Sequence, residues 1–256
     1  MRRNFLMALA ATPLLTAVPA LARTPLAAVP ISRIDAGWWR DRHTAKLAEL
    51  RTRQPSLIFL GDSITQQWEE PRLPEPPGFV PSWNRFYGDR NAVNLGFRGD
   101  ATSHLLWRIQ NGEVSGIAPK VAVILIGANN LGHLRWSADD TLAGIDAIIK
   151  ELQRRLPKTK ILLLSVLPSE RSEWTSTTTL AINKALPARY PAGGAVMFVD
   201  VTRVFMKNGR INRDMFIEGQ LPPGAELLHP SVQGQIGLSE AIEPSLAGLM
   251  GDHIHK

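Results

Sequence analysis

The chain contains no cysteine, which excludes both a disulfide framework and a thiolate metal site. Stability must therefore come from the core. Aromatic residues are sparse at 7%, with only two tyrosines. No long run of basic residues occurs: lysine and arginine are interspersed with acids, so the formal charge of +6 does not form a nucleic-acid tract. Nucleic acid is accordingly not an expected partner, although a mildly basic chain permits peripheral association with an anionic envelope or an acidic polymer. Internal repeats, low-complexity tracts and an interdomain linker are also absent from the sequence. A single domain is expected over residues 23–256.

Long apolar runs are absent too, apart from one at the start. Arg2 and Arg3 precede an apolar stretch from Phe5 to Ala22 that closes on Ala20-Leu21-Ala22, a small-x-small cleavage pattern. Residues 1–22 read as an export signal, which predicts a periplasmic or secreted protein. Pro13 and Pro19 interrupt the run, so a permanent membrane helix is the weaker reading. The paired arginines also fit the twin-arginine route, in which a protein crosses already folded.

What is present is 44% hydrophobic and 20% charged, enough apolar mass for one sizeable core. Five apolar segments are continuous rather than alternating: Ser56–Leu60, Ala92–Gly96, Val121–Gly127, Lys160–Leu167 and Ala195–Val201. That pattern belongs to parallel strands covered on both faces. Helical patterns lie between them, at about Ala36–Arg53, Ser103–Gln110, Ser137–Leu156, Ser176–Ala188 and Val232–Leu249. Ser137 with Asp140 makes a cap-like start, and Pro157 ends that helix. The stretches Pro71–Pro81 and Gly219–Gly224 are rich in proline and glycine and read as loops. Strand and helix in alternation imply an α/β fold with a parallel sheet, whose ligands sit at the carboxyl ends of the strands.

Three of those ends carry chemistry. Ser63, in Gly61-Asp62-Ser63, follows the first strand and starts a helix, where backbone N–H groups favour negative charge. Taken alone it reads as a helix cap; the other strand ends change that reading. The second strand ends at Asn94-Leu95-Gly96 and the third at Gly127-Ala128-Asn129-Asn130. Glycine lets a backbone amide approach a ligand, and asparagine supplies a side-chain donor. Of the six histidines, His229 differs from the rest because Glu226 precedes it at a spacing that can orient Nδ1 and leave Nε2 as a base. His43, His104 and His133 read as surface or core residues. His253 and His255 read as solvated tail residues with a metal-binding option.

These four blocks, Gly61-Asp62-Ser63, Asn94-Leu95-Gly96, Gly127-Ala128-Asn129-Asn130 and His229-Pro230, resemble in order the motifs of the SGNH/GDSL hydrolase superfamily. Asn94–Gly112 and Pro119–His133 are more specifically similar to the branch related to the catalytic subunits of platelet-activating-factor acetylhydrolase. The resemblance spans about Trp38 to Leu249. It implies a three-layer α/β/α sandwich of the flavodoxin-like type with a five-stranded parallel sheet. It implies Ser63 as nucleophile, His229 as base and then acid, and an oxyanion hole of the Ser63 and Gly96 amides with the Asn129 side chain.

The family carries aspartate three residues before the histidine; here the expected acid is Glu226, with Glu218, in Phe216-Ile217-Glu218-Gly219, as its rival. The reading is an exported serine esterase needing no metal or organic cofactor, acting on a short, preferably acetyl, ester of a small molecule or polysaccharide. Trp68, Trp83, Trp136 and Trp174 fall in or near strand-end loops, and Trp136 and Trp174 are the candidates for stacking on a sugar. A lysophospholipase or thioesterase, an O-acetyltransferase acting on an envelope polymer, and a lapsed binding module are the alternatives. The oligomeric state is not legible in the sequence.

Overall fold

The computed structural model describes residues 23–72, 78–220 and 225–255. The expected export segment, residues 1–22, lies outside the described residues, as do parts of both expected loops.

Five strands form one parallel sheet: β1 Leu57–Gly61, β2 Ala92–Gly96, β3 Val121–Leu125, β4 Lys160–Leu164 and β5 Val196–Val199, in the order β2-β1-β3-β4-β5. Leu57 faces Ala92 on one side and Val121 on the other, and Gly61 faces Gly96 and Leu125, so three strands end in register. Side chains alternate across the sheet as strand pleating requires. Ile58, Leu60, Val93, Leu95, Ala122 and Ile124 enter one core, and Leu57, Phe59, Ala92, Val121, Val123 and Leu125 the other. Both faces are apolar, which is why the sequence reads as continuous runs.

The first core is covered by helices α1 Gly37–Arg53, α4 Thr102–Arg108, α6 Ala138–Arg155 and α7 Glu173–Arg189. The second is covered by the short α2 Ser63–Gln66, by α3 Val80–Tyr87 and by α8 Val232–Met250. A further short helix, α5 Ala128–Gly132, follows β3. The result is the expected three-layer sandwich. No helix among the described residues is long and apolar enough to cross a membrane.

Local chemistry explains the boundaries. The Ser137 side chain accepts from the Asp140 amide at 3.1 Å, Asp139 and Asp140 occupy the first turn of α6, and Arg154 and Arg155 the last. This arrangement complements the helix dipole. α7 starts a turn earlier than expected because Ser172 accepts from the Thr175 amide at 3.1 Å. α3, for which the sequence pattern predicts no element, begins in the last two residues of the expected Pro71–Pro81 loop: Pro81 occupies the first turn, where its missing N–H costs nothing. The apolar Phe86 and Tyr87 then pull this helix onto the sheet. The strands themselves stop two to three residues short at β3 and β4, because the chain turns off the sheet to build strand-end loops.

Beneath those loops lies a fully buried ionic cluster. Arg108 donates to Asp100 Oδ2 at 2.8 Å, to Glu113, to the Leu95 carbonyl at 3.1 Å and to the Gly61 carbonyl at 3.1 Å. Its guanidinium lies 4.0 Å from the Phe97 ring centroid. Asp100 Oδ1 accepts from Trp39 Nε1 at 2.9 Å and from Arg33 at 3.0 Å. Removing one partner of such a cluster strands the other charges in a dry interior. Arg108→Met is therefore expected to lower the unfolding free energy by about 3–5 kcal/mol, read by urea denaturation. An unchanged midpoint would show that Asp100 and Glu113 do not depend on it.

Candidate active site

The sheet order reverses direction between β1 and β3, the switch point where open α/β sheets place their ligands. β1 delivers Ser63 there at the start of α2. The turn is tight: a Cβ on Gly61 would lie 2.1 Å from Thr65 Oγ1 and 2.5 Å from the Leu125 carbonyl. Asp62 caps the helix by accepting from the Ile64 amide at 2.9 Å. Burial pushes the Asp62 carboxyl up to about 6, opposed by that amide bond and by the charge of His229.

Ser63 Oγ lies 3.0 Å from His229 Nε2. On the far side of the imidazole, Nδ1 lies 2.6 Å from Glu218 Oε1. Glu218 Oε2 accepts from the backbone amides of His229 at 3.0 Å and Leu228 at 3.3 Å. Burial alone would raise the Glu218 carboxyl, but the hydrogen bonds from the His229 ring and from the backbone bring it below the ordinary carboxylate value. The acid therefore stays ionised and holds Nδ1–H, leaving Nε2 toward the serine.

This overturns the expectation for Glu226. That residue is exposed, and its charge acts on Arg171 instead. The reason is a local antiparallel bridge between Phe216 and Pro230, in which the Ile217 amide donates to the His229 carbonyl and the Ser231 amide to the Met215 carbonyl, both at 2.8 Å. The bridge sets Glu218 beside His229 although eleven positions separate them. The signal in the sequence was Phe216-Ile217-Glu218-Gly219, the rival motif.

Gly96 is a second correction. Its amide donates to Asn94 Oδ1 at 2.8 Å, while Asn94 Nδ2 donates to the Thr65 carbonyl at 2.7 Å. A Cβ at Gly96 would lie 2.2 Å from the Gln66 amide nitrogen, so this glycine permits β2 to pack against α2. The glycine that reaches the cavity is Gly99, with φ of 72°. Among the described residues, no acceptor takes the Gly99 or Ser63 amide. Asn129 lines the same cavity. Its Nδ2 donates to the Asp100 carbonyl at 3.0 Å and reaches Asp62 only at 3.4 Å, so one of its hydrogens is weakly held. Ser63, Gly99 and Asn129 line one cavity of about 420 Å³.

Neither Trp136 nor Trp174 lines that cavity. Trp174 packs partly into the core with the Arg135 guanidinium 5.0 Å above its ring. Trp68 and Trp83 belong to an aromatic stack with Phe59 and Tyr87. The walls come instead from Gln67, Arg98, His133, Ile217 and Leu228. His133, expected to be a bystander, is held below the usual histidine value by burial and by the charges of Arg171 and Arg33. Nothing in its sequence neighbourhood marks it.

Comparison with known proteins identifies the family and the fold. The sequence pattern of the GDSL-like lipase/acylhydrolase family matches residues 59–235. The alpha2 subunit of platelet-activating factor acetylhydrolase IB from Gallus gallus is 30% identical over 190 residues, covering 73% of this chain and 78% of the relative. The Homo sapiens alpha2 subunit is 30% identical over 181 residues, covering 70% and 74%. A GDSL-like lipase structure from Bacteroides thetaiotaomicron superposes with a TM-score of 0.62 at 19% identity, over 81% of this chain and 97% of that one.

Two outcomes are expected. Glu218→Gln should reduce turnover of p-nitrophenyl acetate by about 10²-fold or more, while Glu226→Gln stays within about threefold of wild type. The reverse ranking would restore Glu226. Asp62 binds its proton more tightly folded than unfolded, since its value rises from 3.8 to about 6. Its contribution to stability is therefore complete below pH 4 and is lost as pH rises through 6. Asp62→Asn keeps the capping oxygen and removes the titration, so its stability relative to wild type should rise by about 2 kcal/mol between pH 4 and pH 7. Denaturation at those two pH values reads the difference, and a constant offset would contradict it.

Proposed function

Since the chain belongs to the GDSL-like lipase/acylhydrolase family, we propose that it is an exported serine esterase that cleaves short-chain, chiefly acetyl, esters through an acyl-enzyme. The observation that carries this reading is the unbroken line of hydrogen bonds from Ser63 through His229 to Glu218 along the cavity wall.

In this mechanism Ser63 Oγ attacks the ester carbonyl while His229 Nε2 takes its proton. Glu218 steadies the imidazolium that forms. The carbonyl oxygen becomes an oxyanion, and the Ser63 amide, Gly99 amide and Asn129 Nδ2 are the donors proposed to receive it. His229 then protonates the departing alkoxide, and water repeats the sequence to release the acid. The acetyl preference is supported by the acetylhydrolase names of the 30% identical relatives and by the apolar flank of Ile217 and Leu228. Gln67, Arg98 and His133 supply a polar wall, which favours a hydroxyl-rich alcohol such as a sugar. Export rests on the sequence of residues 1–22.

The test uses protein lacking residues 1–22, wild type beside Ser63→Ala, with p-nitrophenyl esters of two, four, eight and twelve carbons. Acetyl should be cleaved fastest, and Ser63→Ala should lose about 10⁴-fold or more in turnover while remaining folded. Fastest cleavage of the twelve-carbon ester would replace the acetyl reading, and an active Ser63→Ala would remove Ser63 from the chemistry.

A further inference from the structure

A second cluster of functional groups lies at the opposite edge of the sheet. Asp89 stands just before β2 begins, whereas the catalytic cavity sits beyond its end. Five strand residues separate the two by about 17 Å. Here the C-terminal tail folds back on the domain. His255 Nε2 lies 3.0 Å from Asp89 Oδ2, and its Nδ1 lies 3.0 Å from Glu243 Oε1. The His253 ring lies 4.5 Å, centroid to centroid, from that of His255. One ligand atom from each of Asp89, His253 and His255 falls within 4.8 Å of the others.

We propose that Asp89, His253 and His255 form a binding site for a divalent transition-metal ion of the zinc class, which clamps the C-terminal tail to the loop ahead of β2. Two imidazoles and one carboxylate are a donor set suited to zinc, nickel or copper rather than to calcium or magnesium. Glu243 supplies the outer carboxylate that orients a metal-binding histidine. It is only 1% exposed and is held by Arg90 through both oxygens, at 2.7 and 2.8 Å. Its bond to Nδ1 fixes His255 with Nε2 toward Asp89.

Charge also favours a dication. Arg90 is answered by Glu243 and by Asp252, to which it donates at 2.8 and 2.9 Å. Asp89 then adds a further negative charge at the cluster itself. Asp89 and His253 are exposed at the surface, so their side chains are free to close to bonding distances of about 2.0–2.2 Å. The ion takes the place of the proton that joins His255 Nε2 to Asp89, and that proton passes to solvent. Three protein ligands leave a fourth position for water.

The experiment is zinc titration by calorimetry on protein free of any polyhistidine tag, followed by cobalt substitution and visible spectroscopy. One zinc per chain is expected, with a Kd of about 10 μM or tighter, together with the absorption of tetrahedral cobalt. Zinc should raise Tm. His253→Ala and Asp89→Asn, both at exposed positions, should remain folded by circular dichroism and each weaken binding by about tenfold or more. They should also abolish the zinc-dependent rise in Tm while leaving p-nitrophenyl ester turnover unchanged. Absence of binding at 100 μM zinc, or zinc binding that persists at full strength in both variants, would overturn the site and leave a simple Asp89–His255 ion pair.

Discussion

The geometry of the site depends on one buried cation. Arg108 is held at the level where β1 and β2 end, and its guanidinium takes the last carbonyl of β1, a carbonyl of β2, and the carboxylates of Asp100 and Glu113. None of these acceptors can reach water, so the cation answers several desolvated groups at once. Asp100 passes the constraint outward. Its carboxylate takes Trp39 and Arg33, and its carbonyl takes Asn129. The floor beneath Ser63, Gly99 and Asn129 is thus fixed by charge inside the protein, not by loop packing alone. Such a cluster contributes little net stability compared with an apolar core; its effect is to specify one arrangement of three strand ends.

The fold was legible because its determinants are local or periodic. Continuous apolar runs required strands covered on two faces, and the cores behind Ile58 and Leu57 bear this out. Caps such as Ser137 were readable as well. The helix at Val80–Tyr87 was not, because it is only eight residues long and its start falls inside a proline-rich stretch that argues for loop. The start of α7 was missed for a similar reason: Ser172 caps Thr175 ahead of the first apolar residue of the stripe.

Within the site, Ser63, Asn129 and His229 were legible in the sequence, whereas the choice of glycine and of acid was not. Ser63 and Asn129 are fixed by where β1 and β3 stop, and that can be read from the sequence. Gly96 ends β2 and Gly99 lies three residues beyond it, and only the positive φ of Gly99 and the neighbours of each separate a packing glycine from one that lines the cavity. Spacing alone favoured Glu226 over Glu218. The Phe216–Pro230 bridge reversed that order, since it brings residues distant in sequence closer than residues three apart. A pairing of this kind is a tertiary event with no periodic trace in the chain.

That bridge has a consequence for how the site is aligned. The base and its acid ride on the same two-stranded contact, so their 2.6 Å separation is an internal property of one segment. The serine rides on the sheet. Alignment of the two bodies across the 3.0 Å gap between Ser63 and His229 must therefore come from contacts that join them. Gln235 provides one: fully buried on α8, three residues into the helix that follows His229-Pro230-Ser231, it donates from Nε2 to the Ile64 carbonyl at 3.0 Å. The hydroxyls of Tyr87 and Ser239, 2.9 Å apart, provide a second between α3 and α8. Because both contacts are buried, breaking either would leave polar groups without partners, and the penalty resists sliding of α8 along the sheet. The sheet sets where the serine stands, and these two contacts set where the histidine meets it.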